Sequence, residues 1–530
     1  MKQITGVVAF LCLSTLVACS SNGAGSSSAT GGGQTLVFGR NKDAITLDYA
    51  VAPDGNSLNV ARNTAEGLTR YVPGSFSIAP SLAISWTRSA DAKTWVFKLR
   101  HGVKFQDGTT FDAAAVKFNF DRWRLTTNPY HRGGDFGYYA SQFGGFPGVI
   151  AGVDVIAPDA VRIDLTHPLA PLLADLAMPS FSIASPTALK SEGENYFRSP
   201  VGTGPYRVTE WVRDDHITLT AFDGYWGHRA AIHSVVLRDF VDPSTSLLAL
   251  ERGDIDGWEY PQPESLAELR KDPNLRIYSL PPNNVMFLSM NELHAPFNNV
   301  LVRRAINKAI DVKAIVRDFY DTSAVPAEEF LPEAVRPHGV AVAYAYDPAG
   351  ARKLLSQAGF PNGFSTRLWF MTAPRPYLPE PQRVAEAIQA DLARVGIRAT
   401  LQGLEWGVYL ARVENGEHDL ALFGWSGDNG DPDNFLYTVL DEDSAKPPGA
   451  NNVSFWKNPD YHALMLAGQT EPDPVKRDDI YRRALELVHS DAPTVPIAHN
   501  APPTVFRSAV KGFVPNPDTA EDFNLMYFQE

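Results

Sequence analysis

Between Thr366 and Phe435 the chain alternates strand-like and helix-like runs, and this alternation narrows the fold more than any other feature. Thr366–Met371 reads as an apolar strand, followed by a proline-rich loop, Ala373–Pro379. Val384, Ile388, Leu392 and Val395 then fall on one helical face, with Gly396 placed to end the helix. Ile397–Leu401 reads as a second strand, Trp406–Val413 as a second helix and Leu420–Phe423 as a third strand. That order predicts a parallel α/β unit with right-handed crossovers. Ligands of such sheets bind beyond the carboxyl ends of the strands. Two loops leave those ends: one carries Arg375 among prolines, and the other is Gly424–Phe435, which contains Asp428. The pattern puts an arginine and an aspartate on neighbouring rims of one cleft, near Tyr377, Trp406 and Trp425. A guanidinium forks onto a carboxylate and a carboxylate seats an ammonium, so the pair suits a zwitterion. On pattern alone an alternative stays equally open, in which Asp428 caps a turn and Arg375 is a solvated loop charge.

The rest of the body has the same character. Thr35–Gly39 and Thr94–Leu99 read as strands, and Asn299 is placed to cap a helix whose stripe is Val302, Ala305, Ile306, Ala309 and Ile310. That stripe is expected to be core. A length of 530 residues with 44% hydrophobic content gives a prior of roughly two to four domains or lobes. Plentiful aromatics (10 Trp, 19 Tyr, 29 Phe) exclude a disordered or fibrous chain. A net charge of -13 without a Lys/Arg run argues against nucleic acid as a partner.

Val7–Val17, behind Lys2, is the only long apolar run. As a helix it spans about 16 Å, short of a bilayer core of ~30 Å, so it reads as a secretory signal. The run ends Leu16-Val17-Ala18-Cys19, which resembles the bacterial lipobox and implies cleavage before Cys19 and a lipid on its thiol. A plain secreted protein is the alternative. Residues 1–18 are thus expected to be a signal peptide and 19–33 a lipid anchor and flexible Ser/Gly tether. Cys12 leaves with the signal, so the body is expected to have no disulfide.

Other chemistries fit less well. Gly424-Trp425-Ser426-Gly427-Asp428 approaches a serine nucleophile elbow, but its last position is Asp instead of Gly. Asn429, Asp431 and Asp433 alternate as calcium-loop ligands do, yet Asn434 and Leu440 stand where such a loop needs Gly and Glu. The histidines are scattered, and His228 and His233 are badly spaced for a shared helical face. No catalytic residue, metal or cofactor is expected.

Leu99–Phe105, Gly202–Tyr206, Phe222–Gly227 and Val302–Ile306, with Arg375-Pro376-Tyr377 and Gly424–Phe435, resemble the peptide-binding solute receptors of bacterial ABC importers. That family includes oligopeptide-, dipeptide- and nickel-binding proteins, and the resemblance runs from about residue 34 to the C-terminus. It implies an α/β, two-lobed periplasmic-binding-protein-like fold with the ligand cleft between the lobes. The implied crossings lie near Pro281 and near His499. Lobe I is then about 34–280 plus 499–530, with an extra subdomain in about 75–200, and lobe II is about 281–498. In the dipeptide-binding members, which look most alike, the Arg of Arg-Pro-Tyr pairs with the ligand carboxylate. The Asp after Trp-Ser/Thr-Gly binds the α-ammonium. By match these become Arg375 and Asp428. Pro376, Tyr377, Trp425, Ser426 and Gly427 match the surrounding pocket, and Trp406 is expected to wall it. Ala52 departs from the pattern, standing where the relatives carry a polar pocket residue.

The implied function is an extracytoplasmic lipoprotein, a monomer, that captures dipeptides or short peptides for a membrane permease and its ATPase. The chain has no phosphate-cradling loop of its own. A receptor for a metal chelate or haem is the alternative on this fold, and a secreted hydrolase is a weaker one. Seven methionines in all, and no histidine on the two rim loops, leave few ligands for a metal or haem there.

Overall fold

The apolar runs around residue 370 form the expected parallel unit. In the computed structural model Ser365–Met371 lies between Arg398–Leu404 and Leu420–Ser426, pairing Leu368 with Leu401 on one side and with Leu420 on the other, all parallel. The crossover helix Pro381–Arg394 buries Val384, Ile388 and Leu392 completely against the sheet. Each such side chain contributes roughly 1.5–3 kcal/mol of transfer free energy. The chain turns after this helix through Gly396 at φ +93°, a left-handed conformation that costs a residue with a side chain about 1–2 kcal/mol.

Two boundaries differ from the sequence reading. The second strand is Arg398–Leu404, because its pairing continues to Leu404 opposite Met371. The third runs to Ser426, so Trp425 and Ser426 are strand residues rather than loop. There they pair antiparallel with Val285 and Asn284. That partner comes from a distant part of the chain, so no local pattern reveals it.

The structure describes residues 34–529, apart from 241, 321, 336 and 338–342. The expected signal, Cys19 and the tether lie outside the described residues. The parallel unit belongs to a mixed six-stranded sheet ordered Ala324–Pro326, Thr494–Asn500, Asn284–Met290, Leu420–Ser426, Ser365–Met371, Arg398–Leu404. Every residue of Asn284–Met290 is buried, as befits a strand covered on both faces. Asn299 does cap the helix Val300–Ala309, accepting the Leu301 N–H at 3.0 Å, and its expected stripe is core.

A seven-stranded sheet is ordered Leu275–Ser279, Pro503–Arg507, Gly257–Glu259, Thr35–Arg40, Ser234–Asp239, His216–Ala221, Tyr206–Val212. Ala83–Arg88, Thr94–Leu99, Ala160–Leu165 and Ile150–Ala157 make a separate antiparallel four-stranded sheet, with Phe97, Leu99, Val161 and Ile163 in its core. The chain passes from the seven-stranded to the six-stranded sheet between Ser279 and Asn284, and returns between Asn500 and Pro503.

Several motifs that look like those of importer receptors prove to be packing devices. The Glu66 carboxylate accepts hydrogen bonds from Thr203 Oγ1 at 2.9 Å, Tyr225 OH at 3.0 Å and Trp226 Nε1 at 2.6 Å. It thereby ties Gly202–Tyr206 to Phe222–Gly227. Arg100 lies 4.0 Å over the Trp226 ring and brings Leu99–Phe105 to the same knot. Among the described residues no helix is long and apolar enough to cross a membrane.

Candidate functional site

Both rim loops leave adjacent parallel strands, and one glycine lets them touch. A Cβ on Gly424 would sit 2.4 Å from the Tyr377 ring, so only glycine allows that ring to lie on the end of Leu420–Ser426. Tyr377 is in turn part of a tight reversal in which Arg375 and Leu378 exchange backbone hydrogen bonds of 3.0 and 2.9 Å. Tyr320 OH donates to the Tyr377 carbonyl at 3.0 Å, and Asn500 Nδ2 donates to the Pro376 carbonyl. Backbone contacts from two other segments therefore fix the loop.

Within this loop the Arg375 guanidinium lies 4.1 Å from the Trp406 ring centroid. Trp406 stacks on Tyr409 with ring centroids 6.2 Å apart. Burial pushes the Tyr377 hydroxyl up to about 12, against the opposing pull of Arg375, to which it is hydrogen-bonded. Arg375 Nε is buried and makes no hydrogen bond. Such a donor favours an acceptor brought by a ligand. A cavity of about 140 Å³ opens beside the loop, walled by Pro374, Arg375, Pro376, Trp258 and Asn500.

Asp428 is held quite differently. Its backbone N–H donates to Asn434 Oδ1 and its Oδ2 accepts from Asn434 Nδ2, both at 2.9 Å. Trp425 Nε1 donates to the same Asn434 Oδ1 at 3.1 Å. Gly427 N–H donates to the Asn283 carbonyl, and Asn283 Nδ2 returns a bond to the Gly427 carbonyl, each at 2.7 Å. Tyr138, on the short helix Gly137–Phe143, is hydrogen-bonded to Asp428. Burial raises the Asp428 carboxyl above its ordinary range, while the bonds from Asn434 and Tyr138 pull it back down.

Beyond Asp428 the loop docks on the first half of the chain. Asn429 Nδ2 donates to Asp175 Oδ1 at 3.0 Å, and Arg477 holds Asp431 in a two-pronged pair at 2.6 and 2.7 Å. A larger cavity, about 670 Å³, lies along Asp175, Asn429, Asp431, Asp433 and Asn434.

The sequence-predicted residues thus fall into two clusters. Arg375, Pro376, Tyr377 and Trp406 form one; Trp425, Ser426, Gly427 and Asp428 form the other; the Tyr377–Gly424 contact joins them. Among the described residues Arg375 and Asp428 make no ion pair with each other. Ala52 is buried (2% exposed) and offers no polar atom; from that half of the chain Tyr138 reaches Asp428 instead. Sequence reasoning missed Asn283, Asn500 and Tyr138, which lie far from either loop in the chain and carry no motif. Asn434 lies within the quoted run, but only the folded helix Asp433–Leu440 aims it back at Asp428.

Among the described residues the trio with metal-like spacing is Asp441, Asp443 and His462, its ligand atoms within 4.8 Å of one another. These groups satisfy one another or near neighbours, since His462 Nδ1 sits 2.9 Å from Asp441 and Lys446 donates to Asp443 at 2.7 Å.

The chain is 36% identical over 464 residues to the dipeptide-binding protein of Escherichia coli K12, covering 85% of this chain and 86% of that one. It is 33% identical over 498 residues to heme-binding protein A of Haemophilus influenzae, covering 91% and 90%. A periplasmic binding protein of Helicobacter pylori, associated with an ABC transporter and solved with the peptide STSA, superposes with a TM-score of 0.80. That match has 32% identity and covers 94% of this chain and 98% of the other. These neighbours share the two-lobed α/β fold of periplasmic binding proteins. The model of the bacterial extracellular solute-binding proteins, family 5, matches residues 77–447. The chain therefore belongs to the family 5 extracellular solute-binding proteins and is a binding protein, not an enzyme.

Proposed function

We propose that this protein captures dipeptides or short peptides outside the cytoplasm and delivers them to a membrane permease driven by a separate ATPase. The observation that carries this reading is the pair of opposite charges held apart at one strand-end rim. Arg375, with an unpaired buried Nε, faces one end of the ligand, and Asp428, in its hydrogen-bonded seat, faces the other. A free peptide presents a carboxylate and an ammonium, the two charges this rim complements. Arg375 takes the carboxylate and Asp428 the α-ammonium, while Pro376, Tyr377, Trp406, Trp425, Ser426 and Gly427 shape the wall. Similarity to a dipeptide-binding protein and to a receptor solved with a peptide supports the same reading.

Lobe I is taken as about 34–280 plus 499–530, with the subdomain in about 75–200, and lobe II as about 281–498. The sheet memberships support limits close to these: the chain changes sheet just after Ser279 and just after Asn500, so His499 and Asn500 still pair in the six-stranded sheet. Closure of the lobes follows from ligand contacts on both sides of the cleft. The protein acts as a monomer, needs no cofactor, and is anchored by lipid on Cys19. Wild-type protein without lipid mass on its N-terminal peptide would end the anchoring proposal.

Calorimetric titration with one dipeptide in free, C-terminally amidated and N-acetylated forms tests the clamp. Wild type is expected to bind the free form alone tightly. A lost partner leaves a buried charge unpaired, a cost of about 2–5 kcal/mol. Equal affinity for all three forms would overturn the reading and favour a metal chelate or haem, the ligand named in its Haemophilus relative.

A further inference from the structure

We infer that Asn434 is the positioning residue of the ammonium seat, its amide fixing the Asp428 carboxylate and the Trp425 indole in one orientation. This rests on the reading of Asp428 as the group that takes the ligand ammonium. The geometry is three hydrogen bonds on one buried amide, which is 4% exposed. Oδ1 accepts from Asp428 N–H at 2.9 Å and from Trp425 Nε1 at 3.1 Å, while Nδ2 donates to Asp428 Oδ2 at 2.9 Å. Only one orientation of the amide satisfies all three, because both N–H donors face the oxygen and the carboxylate faces the nitrogen. Asn434 is the second residue of the helix Asp433–Leu440, so a rigid element carries it. The loop Gly427–Pro432 is thereby closed on itself before any ligand arrives. An ammonium entering the seat finds a carboxylate that has no rotamer freedom left to lose.

The same bond opposes protonation of the carboxylate. The groups that face Asp428 are Tyr138 from Gly137–Phe143, Tyr71 from Thr69–Tyr71 and Asp175 from Leu172–Asp175. The two phenols are neutral at ordinary pH, and a charge on Asp175 opposes a second negative charge. Burial works in the same direction, and the bonds from Asn434 and Tyr138 oppose both. Removing the amide donor therefore lets Asp428 take up a proton at higher pH, and a neutral carboxyl no longer complements an ammonium.

The test is titration of alanyl-leucine from pH 8 down to pH 4.5 into wild type, N434A, N434S and D428N. Serine is well tolerated near a helix N-terminus and keeps a hydroxyl but lacks the reach to Asp428, so it serves if N434A does not fold. Loss of a hydrogen bond to a charged group predicts about ten- to hundred-fold weaker binding by either Asn434 variant at pH 7.5. Their acid loss of affinity is also expected to begin at higher pH than in wild type. Weakening by one constant factor at every pH would overturn the inference, since a merely structural defect does that. Wild-type affinity and pH profile in N434A, with binding lost in D428N, would remove the role of Asn434 and leave the clamp standing. Wild-type binding by D428N would overturn the clamp itself.

Discussion

The two loops that leave the strand ends carry opposite charges, and the chain holds them by opposite means. The Arg375 loop is fixed through its backbone and by stacking: a tight reversal, carbonyls of Pro376 and Tyr377 tied to Asn500 and Tyr320, and a guanidinium lying on Trp406. Its charged end is left with unused donor capacity. The Asp428 loop is fixed through its side chains, by Asn434, Asn283, the Asn429–Asp175 bond and the Arg477–Asp431 pair. A guanidinium is planar and rigid, so stacking suffices to aim it. A carboxylate on a short stem needs hydrogen bonds to select its rotamer and to stay ionised when partly buried. The difference teaches that substitutions in the first loop should affect binding far more than stability, whereas several in the second should affect both.

The sharpest way to break this comparison is D431A. It takes the two-pronged carboxylate from the Arg477 guanidinium, whose side chain is 13% exposed. Among the described residues that guanidinium then keeps only the Gly468 carbonyl and the Tyr481 hydroxyl as hydrogen-bond partners. The substitution is expected to cost about 3–5 kcal/mol in urea unfolding. A loss below about 1 kcal/mol would show that the second loop is not held by its charges. R375A comes next. It should forfeit about 2–5 kcal/mol of affinity for a free dipeptide yet shift unfolding by only about 0.5 kcal/mol. Equal losses in binding and stability would erase the contrast. G424A should force the Tyr377 ring off the strand, costing about 1–3 kcal/mol of stability and disturbing both loops at once. If it binds and unfolds like wild type, the two loops are independent. W406L sharpens the account of the first loop: losing the cation–π stack should weaken binding by about 0.5–2 kcal/mol. That loss should vanish in an R375A background.

The parallel unit was legible because it is built from local periodicity. Val384, Ile388 and Leu392 at helical spacing, and apolar runs on either side, leave few other ways to bury that surface. The end of the third strand was not, because Trp425 and Ser426 are held in the sheet by Val285 and Asn284. The sequence also placed Arg375 and Asp428 on strand-end loops, and the run Gly424–Phe435 resembled known receptors strongly enough to name the family. It gave no hint of Tyr138 or Asn500.

By itself, then, the sequence determined the α/β class and the strand-end position of both charges, which follow from spacing along the chain, and the family, which came from the resemblance of its motifs to known receptors. Only the tertiary structure decided that Trp406 lies beneath the guanidinium, that Tyr377 rests on Gly424, and that Asn434, Asn283 and Tyr138 converge on the Asp428 loop. Those are contacts between segments tens to hundreds of residues apart, or between a loop and the helix that ends it. A single buried amide or phenol serves equally well from any element that happens to pass within reach. Hydrogen bonding fixes what kind of group is needed there, and the packing of the sheets fixes which residue supplies it.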